Sequence, residues 1–185
     1  PYGIAKKSLM ELLIAYHKQY KFNAINLIPV NMYGPHDHFN PKISHVIPAL
    51  ILKFAKAIQR DHSHVEIWGT GKASREFLYV DDCTEAIHMA LEKHDDPHPI
   101  NIGTGSEITI NELVNTIAEI MNYKGSIVFN SDYPDGQPRR CLDISKAEQA
   151  FGFKAKTNLD KGLQQTLNWF NKNKEQFVDY FDHIQ

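Results

Sequence analysis

The sequence predicts an α/β fold with a largely parallel β-sheet. Short β-branched, apolar segments alternate with helical segments of ten or more residues, and turn-forming residues separate them. The chain has 185 residues, 42% of them apolar, which is enough for one domain and part of a second. No internal repeat or low-complexity segment favours another architecture.

The first third is predicted to contain a helix that ends at Asn23, a strand over residues 24–30 and a second helix that ends near Gln59. A turn-forming loop is expected over residues 31–42, because glycine and proline interrupt it. We expect the apolar stripes of both helices to be core: Leu9, Leu12, Leu13, Tyr16 and Tyr20, then Ile47, Leu50, Ile51 and Phe54.

The middle of the chain is predicted to form two short strands, 65–68 and 76–80, around the turn Gly69-Thr70-Gly71. Asp81 is expected to cap a helix over residues 82–93. The side chains that this helix is expected to bury are Cys83, Ala86, Ile87, Ala90 and Leu91.

The last third begins with a strand over residues 99–102, after which Thr109 and Glu112 form a capping box for a helix through Met121. A strand (126–130), a loop (131–140) and two helices (143–151 and 158–173) follow. Gly152 is expected to stop the first of these two helices, and the tail after Lys174 to fray.

Composition indicates a soluble, cytoplasmic protein without nucleic-acid or membrane partners. The net charge is −2, from 20 basic and 22 acidic residues, so no global field attracts a polyanion. No apolar run reaches the ~20 residues that span a bilayer. Cys83 and Cys141 are far apart and are predicted to be ordinary thiols. Because Pro1 opens the chain without a start Met or signal peptide, we expect a longer parent protein.

Tyr2 and Lys6 are four residues apart and therefore share one helical face. An ammonium group near a phenol favours the phenolate, which would let Tyr2 exchange protons at neutral pH. The alternative is a solvated pair without a role. His45 could likewise be an acid or base, since an imidazole titrates near neutrality, or an ordinary surface residue.

Other motifs are predicted to be structural. Gly69-x-Gly71 and Gly103-x-Gly105 lack the third glycine of a dinucleotide fingerprint and are interpreted as turns. His36-x-His38 and His62-x-His64 have no third ligand at a recognisable spacing, so no metal site is expected.

The chain resembles the extended short-chain dehydrogenase/reductase family, and within it the epimerase/reductases of GDP-linked deoxysugars. The resemblance covers nearly the whole chain. Its motifs are Pro1-Tyr2-Gly3-Ile4-Ala5-Lys6, Ile28 to Asp37, Ser44-His45-Val46-Ile47-Pro48, Trp68-Gly69-Thr70-Gly71, Arg75 to Asp82, and Pro134-Asp135-Gly136 with Pro138-Arg139.

This resemblance implies catalytic and cofactor roles. Tyr2 would donate a proton when NADPH reduces a ketone, and Lys6 would tune that phenol and bind the nicotinamide ribose. His45 would be the epimerisation acid and would also lie at the cofactor. The segment Pro29, Val30, Asn31 and Met32 would line the nicotinamide pocket, at the carboxyl end of a strand.

The resemblance also implies that Lys53, Trp68, Arg75, Asp135 and Arg140 hold the GDP-sugar. Cations suit a diphosphate, an indole suits a base, and an aspartate suits a hydroxyl group. Lys53 has an equally plain interpretation as a solvated lysine on an amphipathic helix.

Two domains are expected from the resemblance. Residues 1–30 and 76–103 would belong to an NADP-binding Rossmann domain, and 31–75 and 104–185 to a substrate domain. The glycine-rich phosphate loop, a catalytic Ser and a catalytic Cys would precede Pro1, so the enzyme, a homodimer in this family, would be the longer parent. Other possibilities are a related enzyme of another GDP-deoxysugar, or a non-catalytic nucleotide-sugar-binding module.

Overall fold

The computed structural model describes residues 1–183 and confirms the α/β class. In chain order the elements are α1 (Tyr2–Tyr20), β1 (Leu27–Pro29), β2 (Asn31–Tyr33), α2 (Val46–Gln59), β3 (His64–Trp68), β4 (Ser74–Tyr79), α3 (Val80–Lys93), β5 (Ile100–Ile102), β6 (Glu107–Thr109), α4 (Ile110–Ile120), β7 (Ser126–Asn130), β8 (Arg139–Arg140), α5 (Ser145–Phe151), α6 (Leu159–Lys172) and a 3-10 segment (Lys174–His183).

The strands pair mainly in parallel. β1 pairs with β5, β2 with β4 and β3 with β7, each in parallel. β4 also pairs with β8 in parallel and with β6 in the antiparallel direction. The predicted parallel arrangement is therefore confirmed, with β6 as the exception among the strands of residues 1–183.

Three short strands lie where the sequence predicted none, and all three pair with β4. β2 interrupts the loop predicted over residues 31–42, β8 ends the loop predicted over 131–140, and β6 precedes the capping box. These strands are two or three residues long, so the partner strand and not a local pattern defines them. The prediction of uninterrupted loops is wrong here.

The observed helix caps agree better with the sequence-based predictions than the short strands do. The Thr109 hydroxyl accepts from the Glu112 N–H at 3.1 Å, and Glu112 Oε2 accepts from the Thr109 N–H at 3.0 Å, which confirms the capping box. Gly152 ends α5 in the left-handed conformation with φ 77°, as predicted. Asp81 is not the cap of α3: the helix starts at Val80, and Asp81 lies in its first turn.

The core consists of two hydrophobic clusters. The larger one contains the stripe predicted for α2 together with residues of α4, α6 and the 3-10 segment. The smaller one packs α3 and α5 against β1, β4 and β5, and includes Cys83, Ala86 and Ala90 as predicted. Burial raises the pKa of the Cys83 thiol, so it stays protonated and structural.

The stripe predicted for α1 and part of the stripe predicted for α3 are not buried. No residue of α1 is buried, and Leu9, Leu12, Tyr16 and Tyr20 are exposed. On α3, Ile87 and Leu91 are 44% and 67% exposed, although both were expected to be core. These prediction errors share one cause, because no element within residues 1–183 covers these helix faces.

The tail after Lys174 packs closely instead of fraying. Phe177 and Phe181 are buried, and Phe177 stacks on Phe170 with ring centroids 5.4 Å apart. Arg60 on the surface forms an ion pair with Asp182. The prediction is thus wrong for residues 174–183, and residues 184–185 lie outside the described part. Across the described helices, none is long and apolar enough to cross a membrane.

Candidate active site

Two concave spaces adjoin beside strand β2 and helix α2. One is a cavity of about 610 Å³ and the other a groove of about 910 Å³. The residues that line both are Asn31, Met32, Tyr33, His45 and Arg140. The shared lining makes the two spaces a single candidate site with two compartments.

The groove contains the predicted proton-transfer pair. Tyr2 and Lys6 both line it, from the first two turns of α1. The Lys6 Nζ lies 5.6 Å from the centroid of the Tyr2 ring, and Tyr2 is 77% exposed. The phenol is therefore accessible to a ligand in the groove, with a cation beside its ring.

The end of β1 and the start of β2 also line the groove. Pro29, Val30, Asn31 and Met32, the segment predicted to lie at the nicotinamide, all line this groove. The backbone N–H of Val30 donates to the carbonyl of Ile102 at 2.9 Å. Asn31 Nδ2 donates to the backbone carbonyl of Glu76 at 3.3 Å, which turns this side chain towards β4. Neighbouring strands thus fix the segment.

His45 occupies the N-cap position of α2 with an extended backbone, φ −80° and ψ 174°. Its side chain makes no capping hydrogen bond and is exposed. Because it lines both compartments, the imidazole can reach a ligand that extends from the groove into the cavity. That position suits an acid or base near the middle of an extended ligand.

The cavity brings together all five residues predicted to hold a nucleotide sugar. They come from α2, β3, β4, the loop before β8, and β8, and are Lys53, Trp68, Arg75, Asp135 and Arg140. The cavity therefore brings together residues as far apart in the sequence as Lys53 and Arg140, which are separated by 87 positions. Three of these five residues are cations and one carries an indole, a set that is suited to an anionic ligand with an aromatic group.

Lys53 is held within the cavity lining and is not a freely solvated lysine. Its Nζ donates to the backbone carbonyl of Glu66 at 2.8 Å and lies 5.3 Å from the centroid of the Trp68 ring. Burial lowers the pKa of Lys53, and the nearby Glu66 carboxylate partly opposes this effect.

Asp135 is engaged with the turn after β3. Its Oδ1 accepts from the Thr70 N–H and its Oδ2 from the Thr70 hydroxyl, both at 2.6 Å. The Thr70 hydroxyl and the backbone N–H groups hold the pKa of this carboxyl group below its usual value. A Cβ at Gly69 (φ 87°) would overlap Asp135 Oδ1, so the turn needs glycine there. Asp135 thereby fixes its loop against the turn after β3.

The two consecutive arginines of β8 differ in role. Arg139 Nε donates to Glu107 Oε1 at 2.7 Å, and this residue does not line the cavity. Arg140 lines both compartments and donates to Gln137 Oε1 at 2.8 Å. Glu107 thus binds the guanidinium group of Arg139 outside the cavity, whereas the guanidinium group of Arg140 remains at the site.

Glu76 is the most important residue that sequence reasoning missed. Its side chain is fully buried in β4, next to Arg75. One carboxylate oxygen accepts from the N–H groups of Thr104 and Gly105 at 2.6 and 2.8 Å. The other accepts from the N–H of Leu142 at 2.7 Å. A glutamate within an apolar strand was the available signal, since buried carboxylates need partners.

Two further residues were missed. Tyr133 stacks on Trp68, with ring centroids 4.6 Å apart and planes 13° apart. His183 lines the cavity from the end of the 3-10 segment, which was expected to fray. The signal for Tyr133 was an aromatic residue three positions after a strand end, where a binding loop would start.

The remaining motifs have structural roles. Gly69, Gly71 and Gly105 adopt positive φ values in turns, as predicted. His36 packs on Trp169 with ring centroids 4.8 Å apart. Within residues 1–183, no group of three or more His, Cys, Asp or Glu side chains could hold a metal ion.

Comparison with known protein families is consistent with the candidate site described above. Residues 1–103 match the model of the NAD dependent epimerase/dehydratase family, and the chain belongs to this family. The chain is 41% identical to GDP-L-fucose synthase of Escherichia coli over 186 residues, covering 96% of this chain and 58% of that protein. It is 40% identical to probable GDP-L-fucose synthase 1 of Oryza sativa over 172 residues, covering 93% of this chain and 52% of that protein.

Solved structures confirm the Rossmann-like fold. A GDP-L-fucose synthetase from Naegleria fowleri bound to NADP superimposes with a TM-score of 0.85 at 29% identity. The match covers 94% of this chain and 56% of that structure. The chain spans about half the length of the curated relatives it matches.

Proposed function

We propose that the complete protein is an NADPH-dependent epimerase/reductase that converts GDP-4-keto-6-deoxy-D-mannose into GDP-L-fucose. The observation that carries this proposal is the two-compartment site, in which the Tyr2–Lys6 groove opens beside His45 into the cationic, indole-lined cavity. The names of the relatives supply the particular sugar.

The groove fits the nicotinamide end of NADPH. The Lys6 ammonium offers three donors for ribose hydroxyl groups, and Pro29 to Met32 give a mainly apolar wall. Asp37 Oδ2, in the same groove, is buried and has no hydrogen-bond partner within the described chain. A carboxamide or ribose hydroxyl would satisfy this acceptor. When bound, NADPH supplies the hydride for the C4 carbonyl carbon.

Proton transfer is assigned to two side chains of this chain. Tyr2 gives its phenolic proton to the C4 oxygen as the ketone is reduced, and Lys6 favours the resulting phenolate. As the epimerisation acid, His45 delivers a solvent-derived proton to C3 and C5 after the base has removed the original proton, which the neighbouring carbonyl group acidifies. A Cys and a Ser outside this chain, which the family resemblance implies, would complete the site.

The cavity is assigned to the GDP part of the substrate. Lys53, Arg75 and Arg140 neutralise the diphosphate, while Trp68 offers an aromatic face to guanine. Asp135 contributes to the cavity by holding its loop to Thr70 through two hydrogen bonds. This orientation directs the sugar towards His45 and the groove, as the reaction requires.

The chain is proposed to divide into a cofactor domain (1–30 and 76–103) and a substrate domain (31–75 and 104–185). The two core clusters follow this division only in part, because Phe151 packs in the smaller cluster with α3 and Phe77 packs in the larger one. The complete protein is proposed to be a cytoplasmic homodimer. The exposed apolar faces of α1 and α3 would then be covered by the rest of the protein or by a second subunit.

Incubation of the complete protein with NADPH and the ketosugar tests the proposal. We expect NADPH oxidation and, in deuterated water, incorporation of deuterium at C3 and C5. Absence of both would refute the proposed function. Reaction with a different GDP-ketosugar alone would keep the reaction type and replace the substrate.

A further inference from the structure

We propose that Tyr133 is a positioning residue that fixes the plane of Trp68, so that the indole can contact a nucleotide base in the cavity. The inference rests on the proposed function, because it concerns the part of the site assigned to GDP. It assigns to the loop after β7 a role in base binding that is separate from diphosphate binding.

The first observation is the geometry of the aromatic pair. The rings of Trp68 and Tyr133 are nearly parallel, 13° apart, with centroids 4.6 Å apart. Trp68 lines the cavity, whereas Tyr133 does not. Tyr133 therefore supports the indole from outside the cavity, and both rings remain partly exposed, at 50% and 39%.

The second observation is that hydrogen bonds at the ends of β3 and β7 fix the position of Tyr133 relative to Trp68. Asn130 is the β7 partner of Trp68, and its carbonyl accepts from the N–H of Gly69 at 2.8 Å. The Asn130 side chain accepts from the N–H of Asp132 at 3.0 Å, which forms a tight turn just before Tyr133. The two rings are thus tied to one pair of neighbouring strand ends.

The third observation is a second support for the indole. The Lys53 Nζ lies 5.3 Å from the Trp68 ring centroid and is itself held by the Glu66 carbonyl. Glu66 and Trp68 are two residues apart in β3 and project from the same face. Lys53 and Tyr133 together restrict Trp68 before a ligand arrives, which lowers the entropy lost on binding.

Removal of the support should weaken binding of the base and leave the diphosphate contacts unchanged. Tyr133 makes no cationic contribution, and Arg75 and Arg140 are held by other residues. GDP and inorganic pyrophosphate are therefore matched probes, since only GDP carries a base. Comparison with a matched Trp68→Phe variant isolates the fluorescence of Trp68 from that of Trp169 and any other tryptophan of the complete protein.

The experiment compares Tyr133→Ala and Tyr133→Phe in the complete protein. We expect Tyr133→Ala to weaken GDP binding roughly 3- to 10-fold and to reduce Trp68 quenching, with pyrophosphate binding unchanged. Tyr133→Phe keeps the ring and should stay within about twofold of wild type. Circular dichroism verifies that both variants are folded.

Three results would overturn the inference. Unchanged GDP affinity in Tyr133→Ala removes it and leaves the proposed function intact. Equal weakening of GDP and pyrophosphate shows that Tyr133 supports the whole loop and not the indole. A wild-type protein that binds neither probe refutes the proposed GDP site and this inference with it.

Discussion

The buried carboxylate of Glu76 accepts a 2.7 Å hydrogen bond from the backbone N–H of Leu142, 66 residues later in the chain. Glu76 follows Arg75 directly, and Leu142 lies two residues after Arg140. One carboxylate therefore links the two segments that carry the arginines of the cavity. Its other oxygen fixes the turn at Thr104 and Gly105.

Replacing Glu76 with Gln should destabilise the protein and weaken GDP binding. The amide nitrogen would face a backbone N–H in place of an acceptor, and leaving a buried donor unpaired costs about 1–3 kcal/mol. Urea unfolding measures the loss, and calorimetry measures GDP affinity. The exposed Glu119→Gln change is the control and should stay within about 0.5 kcal/mol. Equal effects of the two changes would show that the Glu76 contacts are unimportant.

The link between Asp135 and Thr70 should determine the order of the cavity loop. Asp135→Ala removes both hydrogen bonds of this link, and Thr70→Val removes the one that the hydroxyl group donates. We therefore expect GDP binding to weaken in each variant, while the double variant is within about twofold of Asp135→Ala alone. Fully additive losses, measured by calorimetry, would mean that the two residues act independently.

The affinity for GDP should fall at alkaline pH because Lys53 loses its proton. Burial lowers the pKa of this ammonium group, so it loses its proton at a lower pH than an exposed lysine. Wild-type affinity should fall as the pH rises, whereas Lys53→Arg, which keeps its charge, should show a smaller fall. The exposed Lys124→Arg change is the control for general effects of arginine. Identical pH profiles in wild type and Lys53→Arg would exclude Lys53 as the titrating group.

The 3-10 segment should contribute to stability. Phe181 is 1% exposed, and truncation of a buried phenylalanine to alanine costs about 3–5 kcal/mol. Val178 lies in the same segment and is 41% exposed, so Val178→Ala serves as the matched control with a small effect. Denaturant unfolding of both variants gives the comparison. A small loss for Phe181→Ala would show that the tail does not pack as described.

Local patterns predicted the elements whose signals are contained in a few neighbouring residues. The apolar stripe predicted the buried face of α2 and its end near Gln59, and Thr109 with Glu112 marked the start of α4. β2, β6 and β8 could not be predicted in the same way, because pairing with β4 alone defines them. The exposure of Leu91 also depends on which other elements are present, and not on its helical spacing.

The candidate site shows the same difference between residues with a local sequence signal and residues defined by distant partners. Motif resemblance indicated Trp68 and Arg75, and the structure places both in one cavity. It did not indicate a role for Glu76 or Tyr133, whose partners are backbone groups or a ring from distant segments. A sequence carries no spacing rule for such contacts, because the connecting loops set the distances.

The assignment of Tyr2 and His45 to separate proton transfers is tested most directly by following both reactions in single variants of the complete protein. Tyr2→Phe should lose most C4 reduction and keep deuterium exchange at C3 and C5. His45→Gln should lose exchange and still reduce a ketosugar that is already epimerised. His38→Gln, in the same groove, is the control and should leave both reactions intact. Loss of both reactions to the same degree in Tyr2→Phe and His45→Gln would contradict the separate roles.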